Sequence, residues 1–219
     1  MIRTIYYGSP NIIRTPTFGS GNPYNDFGLG FYCTDNPVLA REWAVSRNHN
    51  GFVSKYSLND AGLRIIDLGS PQYGILHWIS VLASYREFDT PTSLAYQGKE
   101  YVRSTFSVDY QNTDCLIGYR ADNSNFMFAQ DFLNGLITYE QLRDAVKLGN
   151  TGRQFVLKSN RAFDRIVYEG YEPAYYSEIF PGKVTRDLNA VRKASGDSHG
   201  MYIEQILDEG IQPYDPRLG

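Results

Sequence analysis

Residues 14–35 leave this chain few ways to fold. Pro16, Gly19, Gly21, Pro23, Gly28 and Gly30 punctuate the first part and forbid a long regular element there. The stretch Asp26-Phe27-Gly28-Leu29-Gly30-Phe31-Tyr32-Cys33-Thr34-Asp35 then turns on two glycines and presents an aromatic pair. Asn36-Pro37 follows, an N-cap with proline at the first helical position. A loop this long inside a compact domain is usually functional or disordered, and Phe18, Tyr24 and Phe27 argue for an ordered one. A tight turn that shows a tyrosine beside a helix is what a pocket for a flat aromatic ligand requires.

Short elements surround this segment. Thr4–Tyr7, Phe52–Leu58, Cys115–Tyr119, Gln154–Leu157 and Arg165–Tyr168 read as strands. A helix is expected from Pro37 to about Arg47, with Leu39, Ala40, Trp43 and Ala44 at helical spacing, and a mostly buried one over Gly74–Tyr85. Asn125–Leu136 is helical, and Thr138-Tyr139-Glu140-Gln141 is a capping box that starts a helix to about Leu148. Further helical stretches fall near 186–194 and 200–208, and Pro213 and Pro216 close a tail expected to fray. Strands and helices mix without strict strand–helix–strand order, so the fold class is α+β. The expected division is a domain over 1–180 and a helical C-terminal extension over 181–219. Gly28-Leu29-Gly30 lacks the third glycine of a dinucleotide fingerprint and is not followed directly by a helix, which excludes a Rossmann reading.

Of 219 residues, 42% are hydrophobic and 21% charged, the balance of a globular chain. The 18 tyrosines suit a ligand pocket or interface, and suit a Tyr-rich strand protein equally well. A net charge of -3 gives no global basic field for nucleic acid. Arg153, Lys158, Arg161 and Arg165 form either a local basic groove or a solvated face. Cys33 and Cys115 make no disulfide framework, and His49, His77 and His199 have no metal-ligand spacing, so no metal is expected. Met1-Ile2-Arg3-Thr4 opens no signal-peptide hydrophobic run, and Tyr73–Tyr85 is too short to span a bilayer. A cytoplasmic location without a membrane partner is the resulting expectation.

The ordered pieces Tyr7-Gly8-Ser9, Phe27-Gly28-Leu29-Gly30-Phe31-Tyr32 and Gln154-Phe155-Val156-Leu157 resemble the three motifs of ADP-ribosyltransferases of the diphtheria-toxin and poly(ADP-ribose) polymerase type. With Ala40–Ala44 and Ile117–Asp122 added, the chain looks closest to a bacterial family of uncharacterised ADP-ribosyltransferase-like domains, over roughly residues 3–172. That resemblance implies a split β-sheet core with flanking helices, and NAD as co-substrate.

By the same resemblance, Gly8 holds the nicotinamide amide through its backbone and Ser9 adds a hydroxyl. Tyr32 and Trp43, eleven residues apart, cover the two faces of the ring. Tyr7, Tyr32 and Gln154 are the implied catalytic positions. Asp26, Phe27, Gly30, Phe31, Thr34 and Ala40 complete the implied binding set. The chain departs from the superfamily at two points: Tyr7 stands where the first motif has histidine, and Gln154 where the third has glutamate. Loss of nicotinamide passes through an oxocarbenium-like state that a carboxylate favours. Asp26, Asp122, Glu169 and Glu172 are the candidates to supply that charge. The expected activity is mono-ADP-ribosyl transfer to a protein or to a base of RNA or DNA, by a bacterial toxin or phage-defence effector held by an antitoxin. A non-catalytic NAD- or partner-binding module and an NAD glycohydrolase are the alternatives.

Overall fold

A computed structural model describes residues 1–121, 123–148, 152–182 and 199–219. Its strands form two sheets. In the first, β1 (Ile2–Ser9) pairs antiparallel with β3 (Gly51–Asn59), which pairs antiparallel with β7 (Ile166–Ala174). In the second, the order is β2 (Phe31–Cys33), β6 (Arg153–Leu157), β5 (Cys115–Tyr119) and β4 (Ile65–Asp67), antiparallel except for the β4–β5 pair. The sheets meet at one bridge: Tyr6 N–H donates to the Thr34 carbonyl at 2.7 Å and Thr34 N–H returns the bond at 2.9 Å. The α+β class holds.

Strand alternation sorts the residues that follow. Phe31, Cys33, Phe155 and Leu157 point into a core shared with Ile5 and Tyr56 of the first sheet. Tyr32 lies opposite Val156, and both face a larger core built on helices α2 (Ile75–Leu82), α3 (Ser93–Thr105), α4 (Asn123–Leu133) and α5 (Tyr139–Leu148). By the same alternation Thr34 and Gln154 share the Tyr32 face.

Helix α1 (Pro37–Ala44) starts where the sequence placed it. The Asn36 side chain accepts from Val38 and Leu39 N–H, and Pro37 occupies the first turn. It stops three residues short of Arg47, at Ala44. It covers β1 and β3 at a close approach: a methyl group at Gly8 would run into the Ala40 carbonyl, and one at Gly51 into the Ala44 carbonyl.

Several elements lie outside the sequence reading, β2 and a helix over 176–182 among them. Strand β4 is only three residues long, and α6 (Asn160–Phe163) is a single turn capped by Ser159. Helix α3 begins on Thr92, whose hydroxyl accepts from Ala95 N–H, but Gly98 interrupts its helical signal. The reason is tertiary: a Cβ at Gly98 would lie 2.5 Å from Ile203 Cγ1.

Residues 176–182 form helix α7, and α8 (Ile203–Asp208) follows. The helical stretch expected at 186–194 lies outside the described residues. The C-terminal segment, with its tail expected to fray, packs on the rest of the chain in its described part. Met201, Ile203, Ile206 and Ile211 are buried in the larger core, and Tyr139 Oη donates to the Leu218 carbonyl at 2.7 Å. Among the described residues no helix is long and apolar enough to cross a membrane.

Candidate functional site

The Asp26–Gly30 turn folds back over the second sheet. Phe27 is fully buried and reaches Gly118, where a Cβ would come within 2.6 Å of its ring. This places Asp26 over Gln154, a residue 128 positions away. Gln154 Nε2 donates to Asp26 Oδ2 at 2.7 Å and lies 3.3 Å from the Tyr119 carbonyl, which also accepts from Trp78 Nε1 at 2.9 Å. Asp26 Oδ2 takes a further bond from Ala121 N–H at 3.0 Å, while Oδ1 takes one from Arg86 Nη1 at 2.7 Å. Both Asp26 and Gln154 are buried. Burial pushes the Asp26 carboxyl above its ordinary range, against the Gln154, Ala121 and Arg86 contacts that hold it down. The Arg86 guanidinium lies 4.5 Å from the Phe126 ring centre, and nothing in its sequence surroundings marked it.

The two predicted aromatics lie on β2 and α1. Tyr32 is half-buried, and its hydroxyl accepts from Phe27 N–H at 2.9 Å and donates to the Gly28 carbonyl at 2.6 Å. Burial raises its pKa, so the phenol stays protonated. Trp43 is half-buried on α1, with the Arg120 guanidinium 5.2 Å from its ring centre. Its indole Nε1 is buried without a partner among the described residues.

The remaining predicted residues divide in two. Tyr7 points to the opposite face from Gln154, with its ring 4.6 Å from Phe31. Burial raises its pKa, with Cys33 adding to the effect. Tyr7, Gly30, Phe31 and Tyr32 line a cleft of ≈ 480 Å³ at the free edge of β2, closed by residues 13–25 and Phe163. Its lining carries no charged side chain. Gly8, Thr34 and Ala40 serve architecture: Gly8 admits the Ala40 carbonyl, and buried Thr34 bonds Tyr6 and accepts from Asn36 N–H at 3.1 Å. The Ser9 hydroxyl donates to the Asn11 carbonyl and shapes the turn after β1.

Of the four candidate carboxylates, only Asp26 is seen at Gln154. Glu169 pairs with Lys55 at 2.8 Å and Glu172 with Arg41 at 3.0 Å, both on β7 at the far edge of the other sheet. Asp122 lies outside the described residues.

The basic run does not form a groove. Arg153 turns to Asp67, Arg161 to Asp114 and the Gly62 carbonyl, and Arg165 to the Ala61 carbonyl. Lys158 points inward, to the carbonyls of Phe27 and, at 3.2 Å, Leu29. Alternation along β6 was the signal for this, since Gln154, Val156 and Lys158 share parity. Burial lowers the Lys158 pKa to about 8. Among the described residues no cluster of three or more His, Cys, Asp or Glu could hold a metal ion.

Residues 3–168 match the model of a family described as Protein of unknown function (DUF3990). The chain belongs to this family. The matched span contains both sheets through Tyr168 and every residue of the Asp26–Gln154 arrangement, so the geometry above lies within the DUF3990 region. No curated protein and no solved structure matches the chain.

Proposed function

We propose that this chain binds NAD on the Tyr32 face of the second sheet and transfers its ADP-ribose to a macromolecular acceptor. The observation that carries the reading is the 2.7 Å bond between Gln154 and Asp26. Gln154 replaces the motif glutamate, and a carboxylate meets it there from another part of the chain. Tyr32, one of the two aromatics that the resemblance assigns to the nicotinamide, accepts from the adjoining Phe27 N–H at 2.9 Å. The two-sheet core joined at the Tyr6–Thr34 bridge agrees with the split sheet expected of an ADP-ribosyltransferase. The uncharged cleft beside Tyr32 has a volume within the roughly 300–1,000 Å³ of ligand sites and offers room for the rest of the dinucleotide.

In this reading the nicotinamide ring leaves with the electron pair of its bond to the ribose C1′. Positive charge builds on C1′ and the ring oxygen, Gln154 orients a ribose hydroxyl, and Asp26 supplies the negative field. The acceptor nucleophile then bonds to C1′ and gives up its proton.

One observation favours a second reading, an NAD-binding module without turnover. Arg86 contacts Asp26 at 2.7 Å and offsets much of its charge. The two readings separate in one series. Calorimetry with NAD should give a binding isotherm for the wild type and none for Trp43→Ala. Incubation with NAD labelled in the adenylate, with protein, RNA and DNA pools, should then release nicotinamide and label one pool. Binding without release supports the module. Release without a labelled pool marks a glycohydrolase, and no binding removes all three NAD readings.

A further inference from the structure

Three consecutive carbonyls of the Gly-x-Gly turn are each caught by a side chain. Lys158 Nζ donates to the Phe27 carbonyl and, at 3.2 Å, to that of Leu29. Tyr32 Oη donates to the carbonyl between them, Gly28, at 2.6 Å. Gly28 has φ +71°, and the Tyr85 ring lies where its side chain would be, so both conformation and space demand glycine. The Lys158 ammonium in turn lies 5.3 Å from the centre of that Tyr85 ring. The turn is thus gripped from β2, from the segment after β6 and from the segment after α2. A half-buried cation carries a desolvation cost, and its retention here has a geometric return: the turn fixed by Lys158 begins at Asp26.

From this geometry we infer that Lys158 is a positioning residue, which holds the Asp26 carboxylate over Gln154 by clamping the 27–29 carbonyls. It acts through the backbone of the turn. The arrangement itself is a property of the fold; only its consequence for turnover rests on the NAD reading.

The test uses Lys158→Met, which keeps the stem and removes the donors, and Lys158→Gln, which restores an uncharged NH2 donor group. Amide hydrogen exchange of Phe27 and Gly28 reads the turn directly, because these N–H groups bond Tyr32 Oη and the Asn25 carbonyl. Exchange there should rise at least tenfold in Lys158→Met and less in Lys158→Gln, while the β1–β3 amides stay within threefold of wild type. In the same variants nicotinamide release should fall at least tenfold in kcat, with a smaller change in NAD affinity. Unchanged exchange at residues 27 and 28, or a uniform rise across the chain, overturns the inference whether or not NAD binds. If the wild type binds no NAD while exchange rises locally, the clamp stands and the NAD reading falls.

Discussion

Asp26 has two sets of partners that act in opposite senses. Arg86, Gln154 and the Ala121 amide favour its ionised form, and its burial disfavours it more. The folded pKa therefore lies above the ordinary 3.8 of the unfolded chain. A carboxyl shifted this way contributes most to stability below the unfolded pKa, and that contribution is lost as pH rises through the folded value. In the proposed chemistry only the ionised form helps. Nicotinamide release should thus show an acid limb displaced above 3.8, and Asp26→Asn should abolish that limb while lowering turnover at neutral pH at least tenfold. A pH profile of release for both proteins checks this, and a limb that survives in Asp26→Asn assigns it to another group. Arg86→Ala should move the limb further upward, because it removes the cation that holds the proton off.

At the scale of the elements, Gly8 separates architecture from ligand contact. If its role is to admit helix α1, any side chain must displace that helix. Gly8→Ala should then destabilise the fold by about 3 kcal/mol, as overpacking against main chain does. Chemical denaturation measures it, and an unchanged midpoint would return Gly8 to a ligand-only role. The elements also show how far the sequence could be read. Helix α1 announced itself through Asn36-Pro37, the α+β class through its mixed strands, and Gln154 and Asp26 through their motifs. Arg86 was silent because its partner is sixty residues away and a lone arginine after a buried helix has no periodicity to break. Lys158 was read among neighbouring cations, though strand parity already placed it on the Gln154 face. Helix α3 was hidden by Gly98, whose cause is a contact with Ile203 from the far end of the chain.

That contact is part of a larger dependence at the scale of the whole molecule. Met201, Ile203, Ile206 and Ile211 are buried in the core built on α2 to α5. Burial of such side chains stabilises by roughly 1.5–3 kcal/mol each, so removing all four costs on the order of 6–12 kcal/mol. A small domain holds about 5–15 kcal/mol in total. A chain ending at His199 should therefore lose its cooperative unfolding transition, which calorimetry would detect; a retained transition would make 201–219 an accessory. The sheet order has a different consequence, in time rather than energy. Tyr32 lies on a three-residue strand whose partner in register is Val156, 124 residues later. At about 5–20 residues per second, a ribosome needs roughly 6–25 s to make that span. Through that interval the nascent chain carries an unpaired Phe31-Tyr32-Cys33 edge and has no means of assembling Asp26 with Gln154.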